Sequence, residues 1–466
     1  MNERRVSVGV VGGGIAGCGA AWALDRAGFE VELFEASAEL GGNAKTIDWQ
    51  TDEGQRVTVG LSVLAWPPKL FRNYCCLLAT LGIETQDVEL RMFIRRGAEV
   101  YTPGLDPYAG LAGRHADDLR RWRAMIRLVR RVNRVFNGRG SDESIYHFAP
   151  LNPMNVIRLW ALARGFGISR AFWDDIVVAW LSAFFLTTKL DRLPAVMLPT
   201  ITDIMPLEAP ASLQTWRQSS REVFEGLTAP FADRVHTGRA ITRIESLGPD
   251  GGVELGDASG ARRRFDKVVL ACSAPAIDHA LIGRRRLHDL LIRGVRYCDE
   301  SDPTFNEGVV HGDPTVIRAE DRNPALAEFC NVIDVSRTPD GAPRYENHFV
   351  LSSWVPAARD TRTPMLVSYN SSTDPDPDHV RRIIDNRGAH PELCTGNLVR
   401  ALLYRFVQGK GGMYFCGSYA TPGNGHDLSL LSGLVVAAQI GAPYPFASNA
   451  QARADFERLR RIMLGR

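Results

Sequence analysis

At 466 residues the chain is longer than one compact core needs, so more than one domain is expected. Its 55 basic and 53 acidic side chains nearly cancel to a formal charge of +2, which argues against a nucleic-acid binder, whose domain would be strongly basic. Eight cysteines, at 18, 75, 76, 272, 298, 330, 394 and 416, form no C-x-x-C pair and no zinc-like spacing, so we expect reduced, mostly buried thiols and no metal.

The first element follows at once. MNERRVSVGVVGGG runs into a strand without a cleavable apolar signal, and the best apolar run, 176–186, is shorter than the roughly 20 residues of a membrane span. A cytoplasmic protein is the expectation. RVSVGVV reads as a buried parallel strand, followed by GGGIAG, a helix of small residues and a second strand, EVELFEA, that ends in Glu35.

Each part of this unit has a physical task. Gly12 permits the tight turn, Gly14 lets the backbone approach a pyrophosphate, and Gly17 lets helix and strand pack closely. The first-turn residues Ile15, Ala16 and Gly17 offer N–H groups and the positive dipole end to phosphates. Glu35, followed by Ala36, lies 21 residues beyond Gly14, where a carboxylate accepts hydrogen bonds from ribose hydroxyls. A dinucleotide site is expected because strand, glycines, helix, strand and acidic end occur in register.

EASAELGGNAKT, 35–46, then resembles the loop that continues this unit in the flavin amine oxidase and carotenoid (phytoene) desaturase superfamily. The resemblance implies FAD, with Gly41, Gly42, Asn43 and Thr46 wrapping the pyrophosphate and running on to the flavin. It also implies a glutathione-reductase-like FAD-binding Rossmann domain beside an α+β substrate domain of helices and antiparallel sheet.

DDLRRWRAMIRLVRRVNRVF, 117–136, is an amphipathic helix. Arg120, Arg123, Arg127, Arg130, Arg131 and Arg134 form a basic stripe, and Leu119, Trp122, Ile126 and Val129 an apolar one. Either it is a solvated face on a core-packed helix, or it meets a membrane surface, a carrier protein or a CoA ester. Residues 150–215, with AFWDDIVVAWLSAFFL, are mainly core. In oxidases of the resembling shape this region lines the substrate chamber, which points to an apolar small-molecule substrate.

Residues 235–276 read as a strand, a meander with a turn at GPDGG, and a buried strand KVVLAC. The resemblance sets Ile241 against the adenine and puts Ala271 and Cys272 at the cofactor. His311 follows the strand run GVV, and Tyr369 and Asn370 end the strand MLVSYN. With Ser62 and Trp66 these are the candidates for polar work, weighed against a purely structural role. Residues 411–441 look like the superfamily's last flavin element, with Gly417, Ser418, Gly425, His426, Asp427 and Leu428 at the cofactor. Asp427 is expected to N-cap a helix from 428 to 440, and His426 to contact flavin before it serves as a catalyst. Covalent attachment at Cys394 or Cys416 is disfavoured because neither lies in a matching motif.

Fragments such as NYCCLLATLGIET, NEGVVHGDP and YRFVQGKGGMYFCGSY are similar to the oxidoreductases that also occur fused to plant cyclopropane fatty-acid synthases. The chain departs from that subgroup at VTVGL, 57–61, and at HDLSLLSG, 426–433. It has five lysines, none in the stretch 296–314 where amine oxidases of the superfamily carry their flavin-facing lysine.

The expected organisation is a discontinuous FAD domain from 1–60, 230–285 and 395–445, a substrate domain from 61–229 and 286–394, and a helical tail at 446–466. The expected activity is FAD-dependent removal of hydride from a hydrophobic or carrier-linked small molecule. An amine or amino-acid oxidase, a redox-neutral isomerase using reduced FAD, and a flavin-binding subunit without turnover stand as alternatives.

Overall fold

The computed structural model describes residues 5–51, 54–103, 110–138, 149–248, 251–283, 286–318, 329–355, 358, 364–423 and 425–465. Five parallel strands form one sheet in the order Met413–Phe415, Lys267–Leu270, Ser7–Val11, Glu30–Phe34, Val235–His236. Its centre is the β-branched run Ser7–Val11, whose Val8 and Val10 are fully buried, as expected for a strand covered on both faces. Helix α1 (Ile15–Arg26) lies on one face. The meander Ile241–Ser246, Val253–Asp257, Arg262–Phe265 contributes Leu255 and Phe265 to the cluster on the other.

A second sheet has seven strands, in the order Val380–Asp385, Glu307–His311, Leu366–Tyr369, Pro343–Val350, Asn331–Arg337, Met92–Arg96, Glu99–Tyr101. The sequence reading expected an antiparallel sheet, and this one is mixed. Asn331–Arg337 runs parallel to Met92–Arg96 because the latter arrives from far earlier in the chain, not through a hairpin.

Helices between Leu111 and Ile204 build a layer over this sheet. Among them is α3 (Ala116–Asn137), which buries Leu119, Trp122, Met125 and Val129. In the apolar run at 170–185 the helix loosens into a π-helical stretch, Trp173–Val178. Its Asp174 and Asp175 are buried and paired with Arg337, and Asp175 also with Arg96, which ties the helical layer to the second sheet.

Helix α5 (His426–Ile440) is buried nearly all round, as a helix apolar on every face must be. It packs on α1 so closely that a side chain at Gly433 would overlap the Ala16 carbonyl. Helix α2 (Arg72–Leu81) and the last helix, α6 (Ala450–Leu464), pack on its other sides. Among the described residues no helix is long and apolar enough to cross a membrane.

Candidate cofactor and substrate site

The turn between Ser7–Val11 and α1 is built on three glycines with different reasons for being glycine. At Gly12 φ is +112°, and a Cβ would lie 2.7 Å from the backbone of Ala271 and Cys272. At Gly17 a Cβ would overlap the Gly12 carbonyl. The fold itself requires both.

Gly14 is different. Its φ of −78° and ψ of 177° suit any residue, and a Cβ there would meet only the Cα of Gly42, at 3.8 Å. Nothing within the chain demands glycine at this point, so only a group approaching the backbone from outside would require one. Gly14 is also the N-cap of α1 and gives no side-chain cap, which leaves the first-turn N–H groups open to an anion. Opposite lies the Gly41–Gly42 loop, held by the hydrogen bond from Gly41 N–H to Gly13 O at 2.9 Å. A pyrophosphate suits this cradle of glycine backbone.

Glu35 stands at the end of Glu30–Phe34 and accepts hydrogen bonds from Gly13 N–H at 2.6 Å and Ser37 N–H at 2.8 Å. Its carboxylate therefore braces the glycine turn. Ala36 is exposed beside it, and Ile241, which opens the meander, is half-buried. Ala271 and Cys272 close the turn from below Gly12. Asn43 donates to the Ala389 carbonyl at 3.0 Å, and Thr46 is buried at the head of the strand Thr46–Gln50. Gly417, with φ +107°, donates its N–H to Ser432 Oγ at 2.8 Å; Ser418 follows. This joins the turn after the last sheet strand to α5.

A cavity of about 260 Å³ begins where α5 starts. Gly425, His426 and Leu428 form one wall; Phe71 ahead of α2, Ile201 in helix α4 (Leu198–Ile204) and Asn133 on α3 contribute others. No described residue on its wall is charged. The polar groups are few: Thr200, His426, and the amides of Asn133 and Asn137, which the Asn152 side chain bridges at 2.9 and 2.8 Å.

His426 stands edge-on to the Tyr74 ring, 4.8 Å between centroids. Its Nε2 is buried without a hydrogen-bond partner among the described residues, and burial pushes the imidazole down to about 3. The ring is neutral at ordinary pH and leaves a buried polar atom unmet at a residue of the chamber wall, where polar groups are ordinarily satisfied.

Asp427 does not N-cap its own helix. Helix α5 begins at His426 with Gly425 as its N-cap, and Asp427 is turned inward, fully buried. Its Oδ1 accepts the Tyr74 N–H at 2.6 Å, and the Asn73 N–H also favours its charged form. Asn73 and Tyr74 belong to the first turn of α2, whose N-cap Phe71 has no capping side chain. The aspartate thus caps a neighbouring helix. Burial raises its carboxyl well above the usual carboxylate range.

The candidates for polar work separate. Trp66 is fully buried and packs on Tyr74 and Trp216 between the cavity residues Ala65 and Pro67; Ser62 lies one residue before Val63 on the same wall. His311 and Tyr369 lie elsewhere, in the second sheet, and Asn370 just past its strand Leu366–Tyr369. His311 Nδ1 accepts the Asp313 N–H at 3.2 Å, so its Nε2 carries the proton toward Ser368 Oγ at 2.7 Å; the Ser368 hydroxyl in turn faces His348 Nδ1, also at 2.7 Å. Burial pushes both imidazoles down to about 4. The Tyr369 hydroxyl accepts from Asn386, and Asn370, at φ +53°, donates to the Tyr345 carbonyl. Cys394 and Cys416 are buried with their thiols pushed up, which suppresses the thiolate needed for covalent attachment.

Sequence reasoning missed Tyr74, Phe71, Ile201 and the Asn133–Asn137 pair. One signal was available: Asn133 falls four residues after Val129 on the otherwise apolar stripe of α3, where a buried amide needs a reason.

The family model for NAD(P)-binding Rossmann-like domains matches residues 10–75. No curated protein matches the sequence. Among solved structures the chain is similar to putrescine oxidase bound to putrescine, at 14% identity and a TM-score of 0.63 over 94% of this chain and 100% of that one. It is similar to the CLA-producing fatty acid isomerase from P. acnes at 15% identity and a TM-score of 0.62, over 93% and 98%. Cyclohexylamine oxidase from Brevibacterium oxydans IH-35A matches at 14% and 0.61, over 94% and 100%. The chain shares their fold over 93–94% of its length.

Proposed function

We propose that the protein is an FAD-dependent oxidoreductase acting on an uncharged, apolar small molecule. The observation that carries this reading is a chamber whose described wall bears no charged side chain and includes the neutral imidazole of His426. The glycine cradle at 12–17 and 41–42 would hold the pyrophosphate, Glu35 the ribose, and Gly425 to Leu428 the ring end. Bound there, FAD supplies an acceptor for hydride from a substrate C–H.

The chain's own residues supply orientation and dryness. Phe71, Ile201 and Leu428 exclude water, so the substrate reaches the ring without competing solvent. Asn133, Thr200 and His426 offer uncharged polar contacts, suited to a hydroxyl, carbonyl or ester but without a counter-charge for an ammonium or a carboxylate. The sequence likeness to the oxidoreductases fused to plant cyclopropane fatty-acid synthases supports an acyl substrate, as does the fold shared with a fatty acid isomerase.

A second reading, amine oxidation, is favoured by the fold shared with putrescine and cyclohexylamine oxidases. An anaerobic screen of the FAD-loaded protein against acyl, terpenoid and amine candidates separates them. Bleaching by apolar neutral compounds is expected; bleaching by amines alone would overturn the proposal. Turnover of an apolar compound with no net oxidant consumed would make the enzyme an isomerase.

A further inference from the structure

We propose that the outward face and C-terminal end of α3 dock on an anionic lipid surface, from which the chamber takes its substrate. The docking stands on surface observations alone; the supply of substrate rests on the apolar reading above.

From Arg120 to Asn137 the helix carries seven arginines and no acidic residue. Those on its flanks are paired: Arg123 with Glu208, and Arg130 with Asp203. Arg127 and Arg131 are exposed and carry no ion pair among the described residues. A basic surface left without counter-charges complements an anionic one.

The same face carries apolar side chains that water should not favour. Leu128, Arg131 and Val135 follow three- and four-residue steps, so they share one side of the helix. Val135 is 78% exposed and Phe136 45% exposed. Asn152, bonded to both Asn133 and Asn137, fastens to this end of α3 the segment that carries Leu151, 85% exposed. Large apolar side chains gathered at one helix end, on the side that carries Arg127 and Arg131, fit the headgroup boundary, where arginine meets phosphate and the apolar tips enter the acyl region. The opposite side of the helix supplies Asn133 and Asn137 to the chamber wall. One helix thus separates the surface from the cavity.

The test is co-sedimentation of the FAD-loaded protein with phosphatidylcholine vesicles, with and without phosphatidylglycerol. Binding to the anionic vesicles alone is expected, weakening with salt. The R127E/R131E variant should bind at least about tenfold more weakly, since each basic residue near an anionic surface contributes about fivefold. V135D/F136D should also lose binding while keeping its melting temperature, because both side chains are exposed. Both variants should bleach as the parent does with soluble substrate.

Equal binding to neutral vesicles, no binding, or binding untouched by either variant would overturn the proposal. So would a change of oligomeric state in R127E/R131E by light scattering, which would make the face a contact between copies. If vesicles fail while the anaerobic screen finds an apolar substrate, docking falls and the function stands. If vesicles bind and only amines bleach the flavin, the reverse holds.

Discussion

The backbone N–H of Tyr74 donates to Oδ1 of Asp427 at 2.6 Å, so the first turn of α2 is completed by a carboxylate from the first turn of α5. This couples a chamber segment to the ring end of the proposed cofactor site. Removing the acceptor with Asp427→Ala should cost about 1–2 kcal/mol, as loss of a helix cap does, read as a lower melting temperature. Asp427→Asn keeps an acceptor. Because burial raises the carboxyl, the native state holds its proton more tightly than the unfolded chain, and the aspartate's burden grows as pH rises above about 4. At pH 7 the asparagine variant should therefore match or exceed the parent's melting temperature, and a marked drop would contradict this account of the charge.

Gly14 and Gly17 should respond differently to alanine. Gly17→Ala overlaps the Gly12 carbonyl and should impair folding, seen as lost ellipticity or insoluble protein. Gly14→Ala meets nothing closer than 3.8 Å, so it should fold normally and still lose FAD, measured as the flavin absorbance retained on purification. Full retention of flavin in Gly14→Ala would remove the cradle from the cofactor site.

Replacing His426 with alanine should weaken flavin retention or shift its potential. With the imidazole pushed down to about 3, His426 should also contribute no break to the pH profile of turnover between pH 5 and 8. Abolished turnover with normal flavin binding and spectrum would instead make it a catalytic residue.

The His311–Ser368–His348 chain predicts an acid limit. Both imidazoles are held neutral, at about 4, and in the unfolded chain they titrate near 6.5. The unfolded state binds more protons across that window, so this stability is complete above about pH 6.5 and drains as pH falls toward 4, by up to about 1.4 kcal/mol per pH unit for each histidine. His348→Gln should reduce the steepness of acid unfolding followed by circular dichroism.

What the sequence disclosed is what neighbouring residues decide among themselves. The strand, glycine turn, helix and Glu35 are local, and so is the three- and four-residue rhythm that marks the apolar stripe of α3. Asp427 was misjudged because it is correctly placed to cap a helix, and only packing reveals that the helix is a different one, 353 residues away in the chain. The parallel pairing of Met92–Arg96 with Asn331–Arg337 is likewise a product of topology. The chamber was indistinct for the same reason: Phe71, Asn133, Ile201 and His426 come from four remote segments, each of which reads as ordinary core.

The sheet under the glycine turn carries a consequence for how the protein is made. Ser7–Val11 pairs with Glu30–Phe34 early, but its other neighbour is Lys267–Leu270, and that strand pairs in turn with Met413–Phe415. At translation rates of about 5–20 residues per second, the first strand waits on the order of tens of seconds with one edge unpaired. Until residue 270 has left the ribosome that apolar edge is open to any other strand, and the outer edge of Lys267–Leu270 then waits in turn for Met413–Phe415, so nascent chains should be the principal clients of chaperones for this protein and the state most prone to aggregate.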